Sequence, residues 1–172
     1  MIGIDAVVRP AQLEDEQFLW LMLFYASRAY EQNVLPEHVA ATPELVRYVQ
    51  GWGRPGDLGF VAESGGQAVG AAWLRLLVGE ERQTVAYVDD TTPELAVALL
   101  PGYEGRGLGT LLLGTLFAEA AVHWSAVTLT VRVDNPALRL YERLGFETVE
   151  IVTNRVGTNS AKMLLQLHPR NT

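Results

Sequence analysis

Residues 101–110 read PGYEGRGLGT, between the apolar run ELAVALL (Glu94–Leu100) and the apolar run LLLGTLFAEAA (Leu111–Ala121). The first run does not alternate, which predicts a strand buried on both faces or central in its sheet. The second predicts a helix over about Leu108 to Val122. A strand, a glycine loop and a helix together make an anion site. The first N–H groups of a helix lack intrahelical partners and sit at the positive end of its dipole. Glycines remove the Cβ atoms that would keep a phosphate from the backbone. The plain alternative is a tight turn and nothing more. Two nucleotide patterns fail on these residues. Gly102 and Gly107 have Walker spacing, but Leu108 stands where the lysine belongs, and Thr110 and Leu112 occupy the places where a dinucleotide loop needs its third glycine.

Working outward, IDAVVRP predicts a first strand ended by Pro10, and AQLEDEQFLWLMLFYASRAYEQ one long, largely buried helix with acidic early turns. PEHVAATPELVRYVQGWG predicts one or two shorter helices, with Thr42-Pro43 as an N-cap and first helical proline and Gly51 and Gly53 as the stop. LGFVAES and QAVGAAWLRLLV, joined by Gly65-Gly66, predict a hairpin. ERQTVAYVDDTTP reads as a polar loop or irregular strand. After the glycine loop and its helix come a buried strand AVTLTVRVD, a short helix NPALRLYERLG and two closing strands, FETVEIVTN and AKMLLQLHP. This order predicts one α/β (α+β) domain over residues 1–172, a mixed sheet covered by helices.

Composition sets limits. Apolar residues make up 49% and charged residues 19%, as in a folded globular chain. With 20 acidic and 13 basic side chains the net charge is −7, which argues against broad nucleic-acid binding. The sequence has no cysteine, so thiolate metal sites, disulfides and a cysteine nucleophile are excluded. His38, His123 and His168 show no ligand spacing, and no metal is expected. The longest early apolar run, Phe18–Ala26, is far shorter than the about 20 residues that span a bilayer. A cytoplasmic protein with no membrane partner is the expectation.

The glycine loop resembles the coenzyme-A pyrophosphate loop of the GNAT superfamily of N-acetyltransferases, Arg/Gln-x-x-Gly-x-Gly/Ala after a strand. Here Leu99-Leu100-Pro101 is followed by Glu104-Gly105-Arg106-Gly107-Leu108-Gly109. A second segment, VRVDNPALRLYERLGFE (Val131–Glu147), resembles the superfamily's later motif, with an asparagine after a strand, a Leu-Tyr-Glu helix and a Gly-Phe end. There are two departures. Glu104 replaces the usual Arg or Gln, and five residues separate Asn135 from Tyr141, one fewer than is commonest in the family.

The resemblance implies a mostly antiparallel twisted sheet of about seven strands with helices on both faces, splayed between the strands near 94–100 and 126–134. It implies acetyl-CoA as cosubstrate and direct transfer to a primary amine of a small molecule, peptide or protein. A non-catalytic acyl-CoA sensor on the same fold is the alternative, and a homodimer is in keeping with relatives. By resemblance, Leu99 and Leu100 offer backbone groups to the pantetheine and thioester carbonyl. Gly105, Arg106, Gly107, Leu108, Gly109 and Thr110 cradle the pyrophosphate, Arg106 adding charge unless it is a solvated loop arginine. Asn135 contacts the cofactor arm, caps a helix, or does both. Tyr141 resembles the tyrosine that protonates the departing thiolate; its alternative is a packed helix anchor. Glu94 stands where some members carry a catalytic glutamate; its alternative is a strand-start residue facing solvent. Trp52, Trp73, Tyr87 and Asp89 are candidates to line the acceptor site, each equally readable as core or surface. Glu104 is expected to point away from the anion, towards Arg106, or to cost affinity.

Overall fold

In the computed structural model, which describes residues 5–168, seven strands form one sheet in the order β1-β2-β3-β4-β5-β7-β6. The strands are β1 (Ala6–Pro10), β2 (Leu58–Ser64), β3 (Gln67–Arg75), β4 (Glu94–Leu99), β5 (Ala126–Arg132), β6 (Glu147–Thr153) and β7 (Asn159–Gln166). The helices are α1 (Glu16–Ala26), α2 (Pro43–Val46), α3 (Leu108–His123) and α4 (Ala137–Arg143), with short 3₁₀ turns between them. β1 with β2, β2 with β3, β5 with β7 and β6 with β7 pair antiparallel, whereas β4 and β5 are parallel and in register at Glu94 and Thr128. The mixed, mostly antiparallel sheet with helices is the one the sequence predicts.

The chain packs as two compact units. Among the described residues, one holds 5–75 together with Ala96–Phe117; the other holds Leu76–Leu95 and 118–168. In the first unit, α1 buries Leu19, Met22, Leu23 and Phe24 in one core cluster with Val61, Ala71 and Trp73 of the hairpin, the first three spaced along one helix face. Each fully buried side chain of this size contributes about 1.5–3 kcal/mol. The long helix expected over residues 11–32 is broken. α1 stops at Ala26, and Arg28 adopts a left-handed φ of 56°. Its guanidinium pairs with Glu31 and lies 5.9 Å from the centroid of the Tyr30 ring, which holds the turn against its backbone strain.

The end of α2 is tied down by a buried ion pair. Arg75, 1% exposed, donates to both carboxylate oxygens of Asp57 at 2.8 Å and to the carbonyls of Arg47 and Gln50 at 3.1 and 2.7 Å. One side chain thus satisfies carbonyls that the short helix leaves open. Trp52 and Trp73 belong to this core, 8% and 1% exposed, their indole N–H groups donating to the Gln12 and Tyr48 carbonyls. Of the two readings the sequence leaves open, the structure gives both the core one.

Candidate active site

The first unit supplies a loop made mostly of backbone. β4 ends at Leu99, and α3 opens at Leu108, its first intrahelical bond running from the Leu111 N–H to the Gly107 carbonyl at 3.1 Å. The N–H groups of Leu108, Gly109 and Thr110 therefore precede any helical acceptor. Gly105 and Gly107 have φ of 73° and 82°, and Arg106 between them does not share the left-handed sign. Such alternation turns successive N–H groups toward a common concavity, the nest that accepts anions. A Cβ built on either glycine meets no atom within 4 Å. The glycines are thus not dictated by packing: the positions a Cβ would take are empty, and it is the backbone conformation that needs them.

Around this nest the charges arrange themselves differently from the sequence expectation. Glu104 does not reach for Arg106; its Oε2 accepts the Gly102 N–H at 3.3 Å and closes its own turn. Arg106 lies over the Tyr103 ring, 5.5 Å from the centroid. Leu100 also departs from expectation. Its N–H donates to the Val69 carbonyl on β3 at 2.8 Å, so that group is committed to the sheet. Successive strand N–H groups point to opposite sides, so the Leu99 N–H points away from β3.

The second unit supplies buried side chains. α4 closes with a Schellman motif: Phe146 N–H bonds the Tyr141 carbonyl and Gly145 N–H the Glu142 carbonyl, both at 3.0 Å, with Gly145 at φ 104°. The Phe146 ring then meets the Tyr141 ring edge-on, centroids 5.7 Å apart. The spacing Tyr141–Gly145–Phe146 is therefore a capping geometry that fixes where the phenol lies. Tyr141 is 8% exposed, and burial alone pushes its phenol up to about 12. At the other end of α4, Asn135 Oδ1 accepts the Ala137 N–H at 2.9 Å, an Asx turn starting the helix.

Glu94 does not face solvent. It is 4% exposed, and its Oε1 accepts the Thr84 hydroxyl at 2.5 Å. Asp89 turns to its own chain. Hydrogen bonds from the Thr92 hydroxyl and from the hydroxyl and N–H of Thr91 hold its carboxyl below the usual carboxylate range. Tyr87 donates its hydroxyl to Asp90 at 2.7 Å. Sequence reasoning missed Thr84 and Lys162, whose Nζ donates to the Tyr87 carbonyl at 2.7 Å. No periodicity marks Thr84; Lys162 is marked only as the sole lysine of the sequence. Among the described residues, no cluster of three acidic or histidine side chains is arranged to hold a metal, and no helix is long and apolar enough to cross a membrane.

Residues 17–146 match the family model described as the acetyltransferase (GNAT) family. The chain belongs to that family. A curated GNAT relative, the [ribosomal protein bS18]-alanine N-acetyltransferase of Haemophilus influenzae, is 35% identical over 91 residues, which are 49% of this chain and 62% of the relative. The chain thus spans less than two thirds of that relative's length. Among solved structures, yncA of Salmonella typhimurium, solved with its cofactor acetyl-CoA, matches with a TM-score of 0.64 at 22% identity, covering 98% of this chain and 97% of its own. A spermidine N-acetyltransferase of Vibrio cholerae, solved with CoA and spermine, matches with a TM-score of 0.65 at 17% identity, covering 95% and 96%. At such identities the structural matches speak for the GNAT fold alone.

Proposed function

We propose that this chain is an acetyl-CoA-dependent N-acetyltransferase that moves an acetyl group directly to a primary amine of a small molecule, peptide or protein. The observation that carries the reading is the exposed turn at Gly105–Gly107, left-handed at both glycines and placed where α3 has no helical acceptors for its first N–H groups. That arrangement fits the pyrophosphate of coenzyme A, a dianion best held by several converging N–H donors.

When bound, acetyl-CoA supplies an acyl group activated as a thioester. The N–H groups of Gly105 through Thr110 hold the pyrophosphate, and Arg106 adds charge by leaving the Tyr103 face. With the Leu100 N–H bonded to Val69, the Leu99 N–H is the strand donor for the carbonyl oxygen on which charge builds. Asn135 borders the cofactor arm while its Oδ1 starts α4. Tyr141 donates a proton to the leaving sulfur. A phenol pushed up to about 12 stays loaded with its proton at every physiological pH. Full transfer to a thiolate of ordinary pKa near 8.5 is uphill by on the order of 5 kcal/mol. The proton therefore moves only as the C–S bond breaks and charge builds on sulfur, as general acid catalysis requires. Glu94 takes the proton of the ammonium, directly or through water, freeing the nitrogen lone pair that then forms the C–N bond. It is needed because an amine of pKa about 10.4 is almost wholly protonated at neutral pH.

Calorimetric titration with acetyl-CoA is the first test. Binding well below about 1 mM is expected, and no binding at that concentration would sink the reading. Free-thiol release is then measured against a panel that includes spermidine and a peptide with an N-terminal alanine, the acceptor types named for the relatives. Release with any amine supports the transferase. Binding without release across the panel would favour the acyl-CoA sensor.

A further inference from the structure

Between the 3₁₀ turn Gly79–Arg82 and β4, the chain lies as a strap held by side chains from three strands. Thr84 Oγ1 donates to Glu94 of β4 at 2.5 Å. Thr128 of β5 donates its hydroxyl to the Ala86 carbonyl at 2.8 Å. Lys162 of β7 donates Nζ to the Tyr87 carbonyl at 2.7 Å. The register places Glu94 beside Thr128 and Thr128 beside Leu164, so Glu94, Thr128 and Lys162 project from one face of the sheet. Thr128 is fully buried, at 0% exposure, on a strand where valine would fill the same volume. Its hydroxyl is satisfied by Ala86 and, at 3.3 Å, by Met163. The only lysine in the chain spends its charge on a neutral backbone carbonyl. These two tethers fix the backbone immediately after Thr84. The β-branched side chain, stiff at χ1, then has its hydroxyl aimed at the Glu94 carboxylate. A carboxylate shut off from water needs such donors, since an unsatisfied buried charge is costly.

We propose that Thr84 is a positioning residue for Glu94, and that Thr128 and Lys162 hold it in place by tethering the Ala86 and Tyr87 carbonyls. The proposal rests on the reading of Glu94 as proton acceptor. In this role Thr84 acts through the carboxylate it orients and not on acceptor or cosubstrate directly.

The test uses the full chain, acetyl-CoA and whichever panel amine releases thiol fastest. Thr84→Val is expected to lower kcat by about tenfold or more while both KM values stay within about twofold, and Thr84→Ser to recover most of the loss. In the Glu94→Gln background Thr84→Val is expected to cost nothing further, because the group it orients is gone. Amide hydrogen exchange of the free protein supplies an independent readout. Lys162→Met should speed exchange across residues 84–88 and lower kcat, with Lys162→Arg restoring both, whereas Thr84→Val should leave exchange unchanged. If Glu94→Gln slows turnover and Thr84→Val does not, the positioning role is overturned while that of Glu94 stands. If neither slows turnover, the role of Glu94 falls and the proposal with it. Equal, additive losses in both backgrounds would mark Thr84 as structural only and overturn the proposal.

Discussion

In the proposed reaction, the glycine turn of the first unit and the Tyr141 and Glu94 side chains of the second do their work with opposite materials. At Glu104–Gly107 every residue is exposed and the useful groups are backbone N–H donors, so side-chain identity matters chiefly where it would change φ. At Tyr141 and Glu94 the useful groups are side chains at 8% and 4% exposure, and their surroundings set their chemistry. The lesson is one of tolerance. A backbone site survives substitutions that keep its conformation, whereas a buried side-chain site is sensitive to the removal of a single atom.

The largest expected effect tests the buried half. Tyr141→Phe deletes one oxygen and should lower kcat by about 10²- to 10⁴-fold, with the calorimetric affinity for acetyl-CoA nearly unchanged. Full turnover would retire the acid role and leave Tyr141 as the partner of Phe146. The next effect is on stability. Because the folded phenol titrates near 12 and an unfolded one near 10, the unfolded chain loses this proton first as pH rises. The stabilisation is therefore complete below pH 10 and is lost between about 10 and 12, on the order of 3 kcal/mol. Chemical unfolding across that range should show the decline in the parent protein and a shallower one in Tyr141→Phe.

On the exposed half, Gly107→Ala puts a Cβ on a residue at φ 82° with no neighbour to clash with. A cost of about 1–2 kcal/mol from the left-handed backbone is expected, read as a fall in melting temperature of a few degrees. The acetyl-CoA affinity should fall further, because the left-handed conformation that aims the N–H groups is the one alanine disfavours. An affinity that tracked stability alone would mean that the nest holds no anion. Glu104→Gln should do least. The amide oxygen can still accept the Gly102 N–H, and an exposed charge turned back on its own chain is screened. Affinity should stay within about twofold, and a tenfold gain would show that the carboxylate faces the anion.

Much of this was legible along the chain, and the reason is locality. The hairpin at Gly65-Gly66, the step from β4 through the glycine loop to α3, and the Tyr141–Gly145–Phe146 cap all depend on neighbours within a few residues. The illegible parts are bonds between residues far apart in sequence. Leu100 looked like a free strand donor because nothing local says that Val69 will accept its N–H. Trp73 looked like a possible lining residue because nothing local points to the Tyr48 carbonyl. The break at Arg28 escaped detection because the apolar pattern runs on through Tyr30, while the turn is held by a ring and an ion pair.

The sequence by itself determined the order of elements, the family motif and the left-handed glycine turn at Gly105–Gly107, because helix ends, glycine φ freedom and apolar periodicity are properties of short stretches. Only the tertiary structure decided that Glu94 is buried beneath Thr84, that the single lysine tethers a loop, and that the Leu100 N–H is already taken. Burial and long-range hydrogen bonds arise from packing strands side by side, and no short stretch carries that information.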